Sequence, residues 1–466
     1  MASQVFQSDS GSPAAGAQSG RVGRWLLGAA TALICIATLF PFNFLDTGLP
    51  VSQRVRTLDS MATLRRYPPD IAGNLLLFAP LGAAVALLLR GRGAWVGVAV
   101  ATMGSLGLSA VVEALQLYLP RRDPSVRDVL CNTISGAGGA AAVVFAARFP
   151  RGMAAVRRAL AWPNRPPVLL AGLGVYLLLF AVVSSRVCGP PSLANWDADS
   201  FLVLGNETDG QRPWSGAIGE IWFCDRTLDE AQWRQVTADP QAAAAGAVVH
   251  YDLREPPIVD RGGQSPRLLW RGTAPHAAQA GRGAAVGPQR WLQSETPVGP
   301  LVDGIRASGK FTVGLALRPA STMQSGPARI ATICRDLTDA NLTLGQEGTC
   351  LVLRVRSTLT GRGGLRPEVF VPGVFEDCRW RRVVLAGDGS RLRLWVSDPG
   401  REWSIHFPGE MGLLSRLLPV GHWAVRMSDW NGRLCRWVYQ VALWGPVGLV
   451  LLLIWRRRRW QAGRSS

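Results

Sequence analysis

The sequence predicts a multi-pass α-helical membrane domain with six spanning helices and an all-β antiparallel sandwich carried between the fifth and sixth of them. Three observations carry this reading. Apolar residues fall in long blocks separated by arginine clusters. Between about residues 188 and 437 the blocks stop and short stretches of period two begin. The net charge of +18 is also divided unevenly. Residues 188–437 hold 28 basic and 25 acidic side chains, and the remaining 22 basic and 7 acidic ones flank the apolar blocks. Charge placed that way anchors spans on their cytoplasmic side. No nucleic-acid motif accompanies it, so nucleic acid is excluded as a partner. Lys310 is the only lysine, and the Arg-, Ala- and Gly-rich composition fits a GC-rich bacterial genome.

Residues 1–24 are rich in Ser, Gly, Ala and Gln and read as a disordered cytoplasmic N-terminus. Residues 25–149 form a four-helix membrane domain. Its first span runs from Trp25 to about Leu45 and is too long for a signal-peptide core, with no small-residue cleavage site after it. It ends in Phe40-Pro41-Phe42-Asn43-Phe44, aromatics suited to a membrane interface. A polar loop over 46–69 leads to the second span, about 70–89, and Arg90 and Arg92 follow it. The third span covers about 94–119 and the fourth about 128–149. Residues 150–167 are a basic cytoplasmic loop, 168–187 the fifth span, 188–437 the exported domain, 438–455 the sixth span and 456–466 a basic cytoplasmic tail. With both termini inside, the densest arginine clusters all fall on the cytoplasmic side. Arg54, Arg56, Arg65 and Arg66 in the first outer loop oppose this mildly.

Within the membrane domain, polar residues recur where lipid discourages them. Asp70 and Asn74, Glu113 and Gln116, and Asp128 and Asn132 are each spaced to share one helix face. The predicted topology puts Asn74, Glu113 and Asn132 roughly 6–9 Å below the outer surface, which predicts one shared polar cluster in the outer leaflet. Structural roles compete with a functional one for most of these residues. Asp70 and Asp128 begin helices, where N-capping accounts for an aspartate. Asn74, Gln116 and Asn132 suit interhelical hydrogen bonding. Glu113 needs a partner, protonation or water access at that depth, and Arg121, Arg122 and Arg127 are near enough in sequence to supply a partner. Gly73, Gly82, Gly136, Gly138 and Gly139 would let helices approach closely.

Several motifs occur in a fixed order: Pro-Phe-Asn-Phe; Asp70 with Asn-Leu-Leu-Leu-Phe-Ala-Pro-Leu-Gly; Glu-Ala-Leu-Gln; Arg-Asp-Val-Leu-Cys-Asn-Thr; and then a Gly-rich helix. In that order and spacing, residues 25–147 resemble the VanZ-like membrane family. Asp70, Asn74, Pro80, Gly82, Glu113, Gln116, Asp128 and Asn132 match its motif positions, while Cys131 and Ser135 depart from it. The family is named for a protein linked to teicoplanin resistance, so the resemblance implies cell-envelope biology at a bacterial inner membrane and no particular reaction.

In 188–437 the alternating stretches Phe311–Leu317, Cys350–Arg356, Arg381–Leu385 and Arg391–Val396 read as strands with one buried and one wet face. Residues 274–289 read as a loop, and a short helix is expected around Asp229–Val236. Phe311–Pro319, Ala328–Ile333, Leu342–Gly345 and Arg379–Ser397 together are similar to a laminin-G-like, concanavalin-A-like jellyroll. Segments within 200–233 look like the last strands of such a domain but come first, which implies a permuted order. A separate partial domain is the alternative.

Six cysteines (Cys188, Cys224, Cys334, Cys350, Cys378 and Cys435) lie in or beside this segment, an even number that predicts up to three disulfides in an oxidising compartment. Cys334 with Cys350 and Cys188 with Cys435 are plausible pairs, and unpaired buried thiols are the alternative. No cysteine or histidine spacing supports a metal site of that kind. Calcium is a conceivable cofactor at the loop pairs Asp197/Asp199 and Asp336/Asp339. Trp196, Trp214, Trp222 and Trp403 are candidates to stack on a sugar, with core packing as the alternative. Glu220 and Asp225 are five residues apart and so fall on opposite strand faces, a poor arrangement for glycoside hydrolysis. The expectation is therefore binding rather than catalysis. The partners would be membrane lipids and a glycan, lipid-linked saccharide or envelope protein. The competing reading is a membrane enzyme or transporter that uses Glu113 as proton carrier.

Overall fold

The computed structural model describes residues 13–50, 73, 75–122, 124–149, 166–238, 246–254, 258–263, 265–273, 283–398, 400–417 and 423–462. Two compact units emerge: residues 1–44 with 51–168, and residues 45–50 with 169–466.

The first unit contains α1 (Pro13–Leu39), α2 (Ala79–Leu88), α3 (Ala94–Gln116) and α4 (Val126–Arg148). Proline sets two of the boundaries. Pro41 follows the end of α1, and Pro80 occupies the first turn of α2, where a missing N–H costs nothing. The buried stripe of α3 is Gly97, Ala101, Ser105, Ser109, Val112 and Gln116, nearly all small residues at a spacing of four. It meets Asn132, Gly136 and Ala140 of α4, while Gly82 of α2 meets Gly136 and Ala79 of α2 meets Gly139. Helices meet backbone to backbone here, because a Cβ at Gly82 would overlap the Gly136 carbonyl and one at Gly139 would overlap that of Ala79. Outward-facing residues are large and apolar. Trp95 is 79% exposed, and Val111, Leu130, Ile134 and Phe145 are exposed as well.

The second unit takes in residues 45–50, most of α5 (Pro166–Val187) and, near its end, α9 (Asp429–Ala462). Tyr176 on α5 donates to the Ala442 carbonyl at 2.5 Å, and its neighbour Phe180 packs on Tyr439. Among the described residues, four helices are long and apolar enough to cross a membrane: α3, α4, α5 and the Asp429–Arg456 stretch of α9. Gly23–Leu39 and Leu75–Leu88 are apolar but shorter. The last helix starts well before the predicted 438, and α1 starts before the predicted Trp25.

Between α5 and α9 the described residues form fifteen strands in two sheets. The strands in chain order are β1 (Phe201–Leu204), β2 (Gly216–Cys224), β3 (Val249–Asp252), β4 (Leu268–Gly272), β5 (Ala284–Val286), β6 (Arg290–Ser294), β7 (Phe311–Pro319), β8 (Ala328–Cys334), β9 (Ala340–Glu347), β10 (Cys350–Val355), β11 (Glu368–Val371), β12 (Arg381–Gly387), β13 (Arg391–Val396), β14 (Arg401–His406) and β15 (Ala424–Arg426). One sheet runs β15-β11-β10-β9-β8-β1-β6-β4 and the other β14-β13-β12-β7-β2-β3, with β5 added alongside β2. Pairing is antiparallel except for β11 with β15. Short α-helices among the described residues of this segment are α6 (Glu230–Ala238), α7 (Gly299–Ser308) and α8 (Glu410–Leu417).

The inner strands are buried on both faces, not one: all seven residues of β8 are buried. The second faces are covered locally. Trp233 and Val236 of α6 pack with Trp222, Cys224, Val384, Ala386 and Trp395 on one sheet. Leu45 packs with Cys350, Val352, Phe370 and Ala424 on the other, where the Thr47 carbonyl accepts from the Thr349 amide at 2.9 Å. The expected loop over 274–289 contains β5, a strand of Ala-Ala-Val that pairs with Ile218–Gly216 through its main chain.

The disulfide expectation is corrected: all eight cysteines are free thiols. Cys334 pairs in register with Ala340 and Cys350 with Glu347, at opposite ends of β9. At about 3.3 Å per residue the two are roughly 20 Å apart, far beyond bridging distance. Cys188 and Cys435 do not pair either, and the Cys188 sulfur is engaged by Ser184 and the Leu413 backbone instead. Cys224 and Cys378 stay separate, the first buried and the second exposed.

Candidate functional site

The polar residues predicted for the membrane domain are brought together in part. Asn132 is 2% exposed and donates from Nδ2 to the Ser109 hydroxyl at 2.9 Å, joining α4 to α3. Its Oδ1 is buried without a partner, as are the hydroxyls of Ser105 and Ser135. Gln116 takes a different direction, donating from Nε2 to the Thr38 carbonyl of α1 at 3.1 Å. Glu113 is half-buried and accepts from the Ser125 amide at 2.8 Å. Arg122 lies within electrostatic reach of Glu113. Burial depresses the Arg122 pKa, and the Glu113 charge offsets part of that effect. Asp70 and Asn74 lie outside the described residues.

Asp128 does not cap its helix. Ser125 holds the cap position, and Asp128 stands in the first turn with Arg127 at 3.5 Å. A carboxylate there suits the positive end of the helix dipole. These contacts tie α1, α3 and α4 together and leave a short run of unsatisfied buried oxygens between α3 and α4. In an apolar surround such atoms are costly.

In the second unit Asp197, Asp336 and Asp339 converge on one arginine. Arg335 bonds the Asp197 carboxylate at 2.9 Å and that of Asp339 at 2.6 Å, with Asp336 at 3.6 Å. Arg356 adds a bond to Asp339 at 2.8 Å. The Asp197 carboxylate also accepts from the Asp199 amide, and the Asp336 carboxylate accepts from the amides of Thr338 and Asp339. The cations of this cluster are therefore guanidinium groups. Among the described residues no group of three or more His, Cys, Asp or Glu is placed to hold a metal ion.

Trp196, Trp214 and Trp222 are core residues. The Trp196 indole donates to the Arg356 carbonyl, and that of Trp214 donates to Gln346 Oε1, each at 2.7 Å. Trp222 packs under α6. Rings buried in this way have no free face for a sugar. Trp403 on β14 is half-buried. Glu220 contacts His250 Nε2 at 2.9 Å, while Asp225 lies beyond the end of β2.

Sequence reasoning misses a set of buried charges on the β8-β9-β10-β11 face. Glu207 pairs with Arg329 at 3.3 Å, and Arg354 pairs with Glu368 at 2.9 Å. Glu207 sits just past β1, and the other three lie within strands. The one available signal is Arg354 amid Leu-Val-Leu and Val, which reads as an ordinary wet-face position.

The apolar outward surfaces and membrane-length helices define a membrane protein. Residues 8–147 match the VanZ/LLP1 family model, so this part of the chain is similar to that family. The match takes in α1, α2, α3 and all but the last residue of α4. No curated protein and no solved structure matches the chain. The β-rich segment fits a jellyroll in its two-sheet architecture, without a lectin or laminin-G family match to accompany it.

Proposed function

We propose that this chain is an integral membrane protein of the bacterial cell envelope, crossing six times with both termini cytoplasmic. Its sandwich is exported and binds an envelope glycan, a lipid-linked saccharide or an envelope protein. The observation that carries this reading is the placement of the sandwich between two membrane-length helices, Pro166–Val187 and Asp429–Arg456. If both cross, everything between them shares one side of the membrane, and the arginines that precede the first and follow the second select the cytoplasm for the other side. The shorter apolar helices at Gly23–Leu39 and Leu75–Leu88 fall where the first two spans are needed to complete six. In this arrangement Glu113, Gln116 and Asn132 lie in the outer leaflet, within reach of a lipid head group. Glu113 is held by the Ser125 amide with Arg122 within electrostatic reach, which suits a fixed binding or structural group better than a mobile proton carrier.

Two measurements on the full chain test the reading. Protease added to right-side-out spheroplasts should cut within 188–437, and protease added to inverted vesicles should spare that segment. The opposite pattern overturns the topology. The purified protein in lipid nanodiscs should also be retained on isolated bacterial envelope polysaccharide or co-purify stoichiometrically with an envelope protein. Failure of both removes the binding role.

A further inference from the structure

The α9 helix carries an uncovered face at the end nearest the sandwich. Trp430, Arg433, Arg436, Trp437, Gln440 and Trp444 are spaced to fall on one side of it, and all six are exposed. Trp430, Trp437 and Trp444 are exposed by 58%, 71% and 60%. The other side is occupied. Asn431 and Cys435 are buried, Phe180 of α5 packs on Tyr439, and Tyr176 bonds the Ala442 carbonyl. Continued at equal rise, that antiparallel pairing brings Arg186, in the last turn of α5, level with Arg433. Among the described residues Arg186, Arg433 and Arg436 make no ion pair and no hydrogen bond, and Arg433 stands over the Trp430 ring at 6.0 Å. Two carboxylates lie near these helix ends, Asp429 in the first turn of α9 and Glu410 within electrostatic reach of Cys435, and neither engages an arginine of this face.

Helix length sets the level of this face. The Asp429–Arg456 stretch has 28 residues, about 42 Å of rise against a hydrocarbon core of roughly 30 Å. With Arg456 and the arginines that follow it at one boundary, about 20 residues of rise bring Arg436 to the other. Trp444 then lies within the hydrocarbon, and its indole N–H is satisfied inside the helix by Gln440 Oε1 at 3.0 Å. Trp430 and Trp437 lie at head-group level, where indoles are favoured. We infer that the sandwich-side end of α9 holds the phosphodiester of an anionic phospholipid between Arg433 and Arg436, with Trp430 and Trp437 flanking the head group. The inference goes beyond the glycan-binding reading and rests only on its premise that α9 crosses the membrane. Chemistry selects the partner. Arginines three residues apart on one helix face have Cβ atoms about 5–6 Å apart, so both guanidinium groups reach the oxygens of one phosphate. A neutral glycan offers them no charge, and a zwitterionic lipid brings its own cation to compete for the phosphate. Arg186, level with them, adds to a field that favours a lipid of net negative charge.

The test uses the full chain in phosphatidylcholine nanodiscs doped with a trace of photoreactive phosphatidylglycerol or of photoreactive phosphatidylcholine. Crosslinks are mapped by peptide mass spectrometry, which separates this end of α9 from the basic tail. The glycerol probe should label residues 429–440, the choline probe should not, and added unlabelled phosphatidylglycerol should displace the label. Arg433→Gln with Arg436→Gln should raise the amount needed for half-maximal labelling about thirtyfold, near fivefold for each arginine. Thermal unfolding should not change, because both side chains are exposed and make no ion pair. Arg433→Lys with Arg436→Lys keeps the charge and should retain most of the labelling. Equal labelling by both probes overturns the proposal, as does labelling unmoved by the glutamine variant or displaced by inorganic phosphate. Protease protection separates this site from the topology. If 188–437 is exported and 429–440 takes no label, the lipid site falls and the topology stands. If 188–437 is cytoplasmic and the label is present, the topology falls and the anionic-lipid site stands.

Discussion

The carboxylate of Glu113 accepts a hydrogen bond from the Ser125 amide at 2.8 Å, so a side chain near the end of α3 holds the residue that opens α4. The bond needs an acceptor oxygen and not a charge. Glu113→Gln should therefore retain most of the wild-type thermal stability and the slow hydrogen exchange of the Ser125 amide. Glu113→Leu leaves that amide unpaired and should cost about 1–3 kcal/mol. Equal damage from Gln and Leu would show that the charge, or a proton, matters after all.

The α2–α4 crossing makes a sharper demand. A Cβ at Gly139 would strike the Ala79 carbonyl, and one at Gly82 would strike the Gly136 carbonyl, whereas Gly138 has open space beside it. Gly139→Ala and Gly82→Ala should each sharply lower the yield of folded protein. Gly138→Ala should be neutral or slightly stabilising, since alanine is the better helix former by about 1 kcal/mol. Size-exclusion profiles of the three variants in detergent decide the matter, and loss of folding in Gly138→Ala would refute the packing argument.

Much of this architecture is written in local pattern. Short apolar stretches rich in Val and Leu between turn residues mark β7, β10, β12 and β13, because composition along one element is a property of that element. Contacts between distant segments carry no such mark. Asp197 and Asp339 look in sequence like parts of separate loop pairs, and only the folded chain shows them sharing Arg335. β5 reads as loop because Ala-Ala-Val has little strand propensity of its own, and its pairing with β2 supplies what the side chains lack. Arg354 reads as wet because nothing nearby in sequence announces Glu368 as its buried partner.

That pair yields a third prediction. Glu368 is fully buried and accepts from Arg354 Nε at 2.9 Å. Removing one member strands the other charge, so Glu368→Ala should destabilise the sandwich by about 3–5 kcal/mol. Replacing both by apolar residues of similar size, Arg354→Met with Glu368→Leu, should recover much of the loss. Thermal unfolding followed by tryptophan fluorescence compares them, and a double variant no better than Glu368→Ala would mean that the pair is not the unit of stability.

The turn at Asp336–Asp339 should respond to acid. The Thr338 hydroxyl, the Thr338 amide and the Asp339 amide all bond the Asp336 carboxylate and hold its pKa below the ordinary carboxylate value. A depressed pKa stabilises the fold above the unfolded value, and that contribution fades as pH falls through the lower folded value. The window therefore lies below about pH 4. Amide exchange at Thr338 and Asp339 should stay protected from pH 7 to 5 and lose that protection on further acidification. In Asp336→Ala it should be fast throughout. Protection unchanged in that variant would show that the turn is held by other contacts.

The sandwich thiols should divide by burial rather than by pairing. Cys224, Cys334 and Cys350 are buried and Cys378 is exposed. Burial raises the pKa of all three inner thiols and pushes Cys350 to about 12. Thiolate is the reactive form, so inaccessibility and protonation act in the same direction. Brief treatment of the native full chain with N-ethylmaleimide should modify Cys378 among these four, and Cys378→Ser should abolish that label. The inner three should react only after denaturation, as read by peptide mass spectrometry. Cys350 labelling as fast as Cys378 in folded protein would contradict the packing under Leu45. A mass two units low across any pair would restore a disulfide that the strand register forbids for Cys334 with Cys350.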